Sequence, residues 1–225
     1  MEHNCCRIGM IRYLSITVGV FLLLTCRGAD DSFTLHNGDL LFSVGSGNSN
    51  MLAAIQNSTS KKEEIPFSHV GIVTVWHDTI CVIEADSPEG VVRSTLEEFF
   101  ADAASLKGKK LVAVGRLKPG LQYAIPSALE AATQLLGREY DYLYDESNDT
   151  YYCSELVRKV FRDSLGNNLF APQAMSFTNK ETGETDPYWT EHFRKRGRTV
   201  PEGAPGTNPA DMAQSENIDI VHVYY

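Results

Sequence analysis

Apolar and β-branched residues occur in short runs along the chain, and polar or turn-forming residues separate one run from the next. Two of these runs, His69–Trp76 and residues 79–85, have only two residues between them, which predicts a β-hairpin. The runs at residues 38–44, 111–117 and 218–225 predict three further strands. The pattern therefore predicts several strands, two of which form an antiparallel pair.

Helical spacing of apolar residues occurs in two longer segments. Residues 126–136 and 154–165 have apolar positions three and four residues apart, and a glycine follows each segment and ends the helix. Ser94 and Glu97 form a capping-box pattern that predicts the start of another helix. Because helices and strands mix without a regular βαβ rhythm, the predicted fold class is α+β, with a mainly antiparallel sheet packed against helices.

The segments between these elements are expected to be short or exposed. Residues 50–57 fit a short helix, and residues 58–66 are polar and charged. Residues 183–209 are rich in glycine, proline and charged residues and have few apolar anchors. They therefore predict a long surface excursion, to which the sequence assigns no role.

The composition is that of a globular protein with one main domain. The chain has 225 residues, of which 43% are hydrophobic, and this is enough for one full core. Its formal net charge of −9 provides no basic surface for nucleic acid, which is therefore not expected as a partner. The histidines and cysteines lack zinc-type spacing, so neither a metal nor another cofactor is expected.

The first 28 residues have the pattern of an export signal. Arg7 and Arg12 provide positive charge, and residues 13–25 carry no charge. This uncharged run is shorter than the about 20 residues that a membrane span requires. A cleaved signal at residues 1–28 and a mature domain at residues 29–225 are therefore predicted, with an uncleaved membrane anchor as the alternative.

The end of this signal also resembles a bacterial lipobox, with the sequence LLTC ending at Cys26. In that interpretation Cys26 becomes the lipidated first residue of the mature protein. The lipid is then the only contact with a membrane that the sequence predicts. The predicted location is the bacterial periplasm or the outer membrane.

Cys153 lies where a loop enters an amphipathic helix, in the sequence YYCSELV. Free backbone N–H groups and the helix dipole favour negative charge at such a position, and the thiolate is the reactive form of cysteine. Cys153 is therefore a candidate nucleophile, with a buried structural cysteine as the alternative. Cys81 lies inside an apolar strand and is interpreted as a small buried hydrophobic residue.

His69 begins the first strand of the predicted hairpin, and a neutral imidazole there can accept the thiol proton. Gly71 has no side chain and lets another segment pass close to this strand. Glu84 lies among apolar residues on the second strand, where a charge is costly unless it has a partner. Glu84 is therefore interpreted as the group that orients His69, with an outward-facing glutamate on an edge strand as the alternative.

Five sequence motifs occur in an order that points to a known family. They are GDLLF at 38–42, SHVGI at 68–72, VIEA at 82–85, GREYD at 137–141 and YCSELV at 152–157. This order resembles the circularly permuted papain-like amidases, the YiiX-like branch of the NlpC superfamily, in which the histidine strand precedes the cysteine helix. The resemblance spans residues 35–165, with a weaker match at residues 208–211.

The resemblance implies a circularly permuted papain-like (NlpC-type) domain in which Cys153 is the nucleophile, His69 the base and Glu84 the orienting residue. It also implies that the hydroxyl of Tyr140 donates to the developing oxyanion, together with the backbone N–H of Cys153. Asp39 either ties the first strand to the site or forms a turn.

The implied activity is hydrolysis of an amide bond through an acyl-enzyme, with a peptide or another acyl-containing small molecule as substrate. An exported location makes peptidoglycan fragments the expected substrate. Two alternatives remain open: a lipid ester hydrolase or acyltransferase of the same fold, and a non-catalytic surface binding protein. A wide apolar groove beside Cys153 favours the lipid enzyme, whereas a narrow polar cleft favours the peptide amidase.

Overall fold

A computed structural model describes residues 33–47, 49–58 and 65–225, which belong to one unit, Phe33–Tyr225. The predicted export signal at residues 1–28, Cys26 and the predicted start of the mature domain lie outside the described residues. In the part of the chain that is described, no helix combines the length and the apolar character that a membrane crossing requires.

The described residues form one six-stranded sheet, two short strand pairs and the helices around them. The strands are β1 (Leu40–Ser43), β2 (His69–Trp76), β3 (Thr79–Asp86), β4 (Gly90–Thr95), β5 (Ser105–Leu106), β6 (Lys109–Lys110), β7 (Val112–Leu117), β8 (Gln173–Ala174), β9 (Pro205–Gly206) and β10 (Ile218–Val223). The helices are α1 (Ser49–Ser58), α2 (Leu96–Asp102), α3 (Ile125–Gln134), α4 (Cys153–Val160), α5 (Pro187–Arg194) and α6 (Pro209–Met212), with a 3₁₀ turn at Pro119–Ala124.

The large sheet has the strand order β10-β7-β1-β2-β3-β4, and every pairing in it is antiparallel. The predicted α+β class with a mainly antiparallel sheet is therefore confirmed. The predicted hairpin forms β2 and β3, with Ile72 opposite Ile83. Strand β4 was not predicted from the sequence, because this edge strand begins with glycine and has only two consecutive apolar residues.

Helix α4 covers one face of the sheet. Its Leu156 is fully buried in the same apolar cluster as Val70 and Ile72 of β2. Because side chains alternate along a strand, Val73 faces the other side, where it packs with Phe99 of α2. This packing places the start of α4 near the start of β2.

Helix α4 is shorter than the predicted segment 154–165. It begins at Cys153 and ends at Val160, because Phe161 takes an extended backbone conformation and buries its ring completely. Gly166, the predicted terminator, lies in a separate turn, where its N–H donates to the carbonyl oxygen of Asp163. The helix therefore ends after two turns, because burial of Phe161 directs the chain away from the helix axis.

Helix α2 begins one residue later than predicted. Thr95 is the N-cap: its hydroxyl accepts from the N–H of Glu98, and its own N–H donates to the Glu98 carboxylate. Ser94 does not cap the helix, since it is still paired with Val82 inside β4. The capping box predicted from the sequence is present with a shift of one residue.

The prediction of a surface excursion at residues 183–209 is wrong. This segment contains α5, whose Trp189 and Phe193 are 4% and 1% exposed. Both side chains pack in a cluster with Ala54 of α1 and with Phe177. Two large aromatic residues one helical turn apart anchor the segment, so its low content of apolar residues gave no sign of this burial.

Gly71 lets β2 pass close to its neighbours. An added Cβ there would lie 2.3 Å from Cγ1 of Val82 and 3.2 Å from the ring of Phe99, both of which are buried. We expect Gly71→Ala to lower the free energy of unfolding by about 1–3 kcal/mol, as overpacking does, and urea unfolding measures this. Gly120→Ala is the matched control, because a Cβ there meets nothing within 4 Å. Equal stability of the two variants would contradict the expectation.

Candidate active site

The thiol of Cys153 lies at the start of α4. Cys153 is the first residue of the helix, and Tyr152 before it is the N-cap in an extended conformation. Cys153 is 6% exposed, and its Sγ lies 4.0 Å from the carbonyl oxygen of Ser68, the residue before β2. The structure therefore places the thiol at the positive end of a helix and next to the start of the strand that carries His69.

Glu155, in the first turn of α4, belongs to this helix start. Its Oε2 accepts from the N–H of Tyr152 at 3.5 Å, while its Oε1 lies 3.8 Å from Nζ of Lys159 and has no hydrogen-bond partner among the described residues. Burial raises the pKa of Glu155 to about 8. The carboxyl group is therefore mostly neutral near pH 7, and a neutral group opposes a thiolate at Cys153 less than a carboxylate does.

His69 and Glu84 form a direct pair at the site. Nε2 of His69 lies 2.6 Å from Oε2 of Glu84, and Glu84 is 5% exposed. Because a carboxylate oxygen only accepts, Nε2 carries a proton and donates it, and Nδ1 is the nitrogen that is protonated in the imidazolium and has the lone pair in the neutral ring. Glu84 therefore faces the imidazole and is buried, and its strand β3 lies between β2 and β4, away from the sheet edge.

The surroundings of His69 favour its charged form. Burial lowers the pKa of His69, but hydrogen bonds with the side chains of Cys153 and Glu84, together with the charges of both groups, outweigh this effect. The net result is a pKa well above the ordinary value of histidine. The imidazolium is therefore retained at a pH at which an ordinary histidine is neutral.

Asp86 is a second carboxyl group near His69 and was not among the residues predicted from the sequence. Burial raises the pKa of Asp86, and the positive charge of His69 partly opposes this effect. Asp86 lies two residues after Glu84 on β3, and side chains two residues apart share one face of a strand. This spacing is the signal that would have identified it.

Tyr140 and Cys153 line the same cleft, His69 follows Ser68, whose carbonyl oxygen lies next to the thiol, and Glu84 pairs with His69. Burial raises the pKa of Tyr140 well above its ordinary value, and the nearby groups of Tyr144 and Cys153 raise it further. Tyr144 lines the same cleft. It lies in a loop with no periodic pattern, and no sequence signal distinguishes it from a surface tyrosine.

The carboxylate of Asp39 binds residues outside this group. Its buried carboxylate accepts from Nε of Arg116 at 2.7 Å, from a second guanidinium nitrogen of Arg116 at 2.8 Å, and from the N–H of His36 at 2.8 Å. Of its two predicted roles, the structure therefore supports the turn. It adds an ion pair that connects the start of β1 to β7.

The cleft beside Cys153 has a volume of about 430 Å³. Apolar and aromatic side chains form a large part of its wall: Met51, Ile55, Tyr144, Met175, Phe177 and Trp189. Polar side chains also line it: Ser58, Gln173, Ser176, Asn208 and Asp211. These residues come from segments far apart in the chain, so sequence patterns could not group them into one site.

Thr207 and Asn208, which precede α6, line this cleft, and Thr207 is hydrogen-bonded to the start of α4. The N–H of Thr207 donates to the hydroxyl of Tyr152 at 3.1 Å, and the hydroxyl of Ser154 donates to the carbonyl oxygen of Thr207 at 3.0 Å. The two residues that flank Cys153 in sequence therefore hold this segment in place. Helix α4 positions both the thiol and one wall of the cleft.

Comparison with known proteins identifies a family, a curated relative and a solved structure with a similar fold. The family model described as "Permuted papain-like amidase enzyme, YaeF/YiiX, C92 family" matches residues 34–222. The uncharacterized protein YiiX of Escherichia coli (strain K12) is 30% identical over 168 residues, which are 74% of this chain and 75% of YiiX.

The solved structure is described as metalloprotein yiiX from Escherichia coli O157:H7. It matches with a TM-score of 0.69 and 24% identity, covering 86% of this chain and 99% of that chain. At this identity the likeness concerns the fold, and it confirms the permuted papain-like architecture. The family match and the order of the histidine strand and the cysteine helix agree, and the chain therefore belongs to the permuted papain-like amidase family.

Proposed function

We propose that the chain is a cysteine amidase in which Cys153 is the nucleophile, His69 the general base and Glu84 the residue that orients His69. The observation that carries this proposal is the 2.6 Å contact between Nε2 of His69 and the buried carboxylate of Glu84. It leaves Nδ1 as the nitrogen that can exchange a proton with Cys153, whose side chain interacts with the same imidazole.

The reaction then has two halves. The Cys153 proton passes to Nδ1 of His69, and the thiolate attacks the carbonyl carbon of the substrate amide. The tetrahedral intermediate collapses as His69 gives its proton to the leaving amine, and a thioester to Cys153 remains. A water molecule, activated by His69, then attacks the thioester and releases a carboxylic acid and the free thiol.

The oxyanion that forms in each half needs hydrogen-bond donors. The backbone N–H of Cys153 lies in the first turn of α4, where helix N–H groups have no partner within the helix. The hydroxyl of Tyr140 is the second donor that we propose, because it lines the cleft beside the thiol. Its raised pKa keeps the hydroxyl protonated, as a donor must be.

A cell-wall peptide is the substrate class that we propose. The cleft contains polar side chains that can bind peptide groups, among them Gln173, Asn208 and Asp211. An amide substrate also agrees with the activity in the description of the family. Peptidoglycan fragments are the peptides that an exported enzyme of this kind would meet.

A lipid ester is the second candidate substrate, and a specific observation favours it. The side chains of Met51, Ile55, Met175 and Phe177 give the cleft an extended apolar surface next to Cys153. An acyl chain can be buried on such a surface, with the ester carbonyl at the thiol. The chemistry at Cys153 would be the same, with an alcohol as the leaving group.

The location of the enzyme is proposed from the sequence of its first residues. Arg7, Arg12 and the uncharged residues 13–25 support export, and Cys26 supports lipid anchoring in the periplasm or at the outer membrane. Mass spectrometry of the mature N-terminus tests this proposal. A diacyl or triacyl group on Cys26 would support anchoring, and an intact Met1 would contradict export by cleavage.

The Escherichia coli O157:H7 protein is described as a metalloprotein, which raises the question of a metal in this chain. Within the described ranges, no group of three or more histidine, cysteine, aspartate or glutamate side chains is placed to hold a metal ion. These residues therefore do not fit a resident metal. No step of the proposed reaction is assigned to one.

The proposed activity is tested by incubating the full chain with muropeptides and, separately, with phospholipid vesicles. Mass spectrometry of the products identifies which bond is hydrolysed, and Cys153→Ala serves as the control. We expect cleavage of a peptide amide by the native chain and none by the variant. Release of fatty acid from the vesicles, with the muropeptides left intact, would identify a lipid ester as the substrate and rule out a cell-wall peptide. No Cys153-dependent product from either substrate would contradict both.

A further inference from the structure

The short strands β8 and β9 form an antiparallel pair in which Ala174 lies opposite Pro205. At the next position along the pair, the N–H of Met175 donates to the carbonyl oxygen of Ala204 at 2.8 Å. Because hydrogen-bonded and non-hydrogen-bonded positions alternate in an antiparallel pair, Ala174 and Pro205 occupy a non-hydrogen-bonded position. Proline, which has no N–H, fits this position. The N–H and the carbonyl group of Ala174 therefore point away from β9, and neither has a hydrogen-bond partner among the described residues.

This outer edge of β8 is the free edge of the pair. On the β9 side, Thr207 is hydrogen-bonded to Tyr152 and Ser154 at the start of α4. On the β8 side, residues 173–176 all line the cleft that also contains Cys153. Consecutive side chains of a strand point to opposite faces, so the feature that these four residues share is the strand edge. The edge of β8 therefore lies along the cleft.

A free strand edge binds an extended chain through main-chain hydrogen bonds. The N–H and the carbonyl group of Ala174 are complementary to the carbonyl group and the N–H of one peptide residue. Ala174 is exposed and has a small side chain, so a peptide can approach both groups. A lipid ester has carbonyl oxygens but no N–H, and it would displace water from the Ala174 carbonyl without providing a donor. The edge of β8 therefore favours a peptide over a lipid ester.

We propose that the substrate peptide binds in an extended conformation as a third strand beside β8, with two hydrogen bonds to the main chain of Ala174. This inference rests on the proposed function, since it takes a peptide as the substrate. It adds the residue that holds the substrate main chain and the conformation in which the substrate binds. Because backbone groups make these bonds, selection among peptides depends on the side chains that line the rest of the cleft.

The test is Ala174→Pro in the full chain that also carries Cys153→Ala, so that the ligand stays intact. Proline removes the N–H of Ala174 but no bond between β8 and β9, and it is tolerated at strand edges where the N–H faces outward. The probe is the synthetic stem tetrapeptide of peptidoglycan, and isothermal titration calorimetry measures its Kd. We expect Kd to rise about three- to tenfold, as the loss of one hydrogen bond predicts. Ala171→Pro is the matched control, because Ala171 is exposed, lies on the same segment and does not line the cleft.

Methylated ligands test the second hydrogen bond without a further change in the protein. In a series of the same tetrapeptide, each amide N–H in turn is replaced by an N-methyl group. At one position this change should raise Kd about three- to tenfold, because the carbonyl group of Ala174 then loses its donor. If circular dichroism shows that Ala174→Pro does not fold, this series decides the question on the chain that retains Ala174.

Four results would each overturn the inference. They are a native Kd in Ala174→Pro, an equal rise of Kd in both proline variants, a native Kd for every methylated ligand, and no binding of the tetrapeptide. Failure of the proposed function gives a different result, namely a tetrapeptide that binds as expected but is not cleaved by the chain with an intact Cys153.

Discussion

Replacement of Cys153 by alanine is expected to lower hydrolysis by at least about 10³-fold. The substitution removes the sulfur that attacks the substrate in the proposed reaction. It should leave the fold intact, because Cys153 is a small side chain at the end of an apolar cluster and only its sulfur is lost. Product formation and the far-ultraviolet circular dichroism spectrum of the variant check both expectations.

Cys81→Ala is the matched control for this prediction. Cys81 is also a free, buried thiol, and it lies on β3. Iodoacetamide should label Cys153 quickly and Cys81 slowly, because Cys153 lies at the start of α4 beside the strand that carries His69, whereas Cys81 lies inside β3. Labelling of the two cysteines at one rate, or turnover that survives Cys153→Ala, would show that Cys153 is not the nucleophile.

Glu84→Gln is expected to lower kcat/KM by at least about tenfold and to move its alkaline limit to lower pH. Burial lowers the pKa of His69, and the contacts with Cys153 and with Glu84 raise it above the ordinary value. Glutamine keeps a hydrogen-bonding group but has no negative charge, so it raises this pKa less than glutamate does. The imidazolium then loses its proton at a lower pH, and the activity that depends on it is lost there too.

The measurement is the pH profile of kcat/KM and of Cys153 alkylation for the native chain and the variant. Asp86→Asn is the control, since it removes the same charge from the same strand, two residues further on. The direct contact at 2.6 Å belongs to Glu84, so its substitution should have the larger effect. A native profile in Glu84→Gln would leave Glu84 with only a structural role.

The part of the site that lies on regular elements could be predicted from the sequence. Cys153 was identified because a helix start has a recognisable pattern, and His69 because an apolar strand follows it. Glu84 was identified because a charged residue in an apolar strand needs a partner. In each case the signal lies within a few residues of the candidate side chain, and the antiparallel pairing of β2 and β3 brings two of the three candidates together.

The residues of the cleft wall could not be predicted from local sequence patterns, because they come from segments that are far apart in the chain. Trp189 and Phe177 look like isolated aromatic residues in polar segments until the fold places them in one cluster. Tyr144 depends on a loop conformation that the side chain of Asp141 imposes. Such contacts arise from tertiary packing, which no local periodicity records.

Two aromatic side chains of the cleft wall, Phe177 and Trp189, pack with Ala54 and Phe193 in a cluster of their own. None of these four residues belongs to the larger cluster that joins α4 to the sheet. Substitutions in the wall cluster can therefore change the shape of the cleft while the sheet and α4 keep Cys153 in place. Over evolutionary time, proteins with this fold can exchange one substrate for another and retain the same reaction.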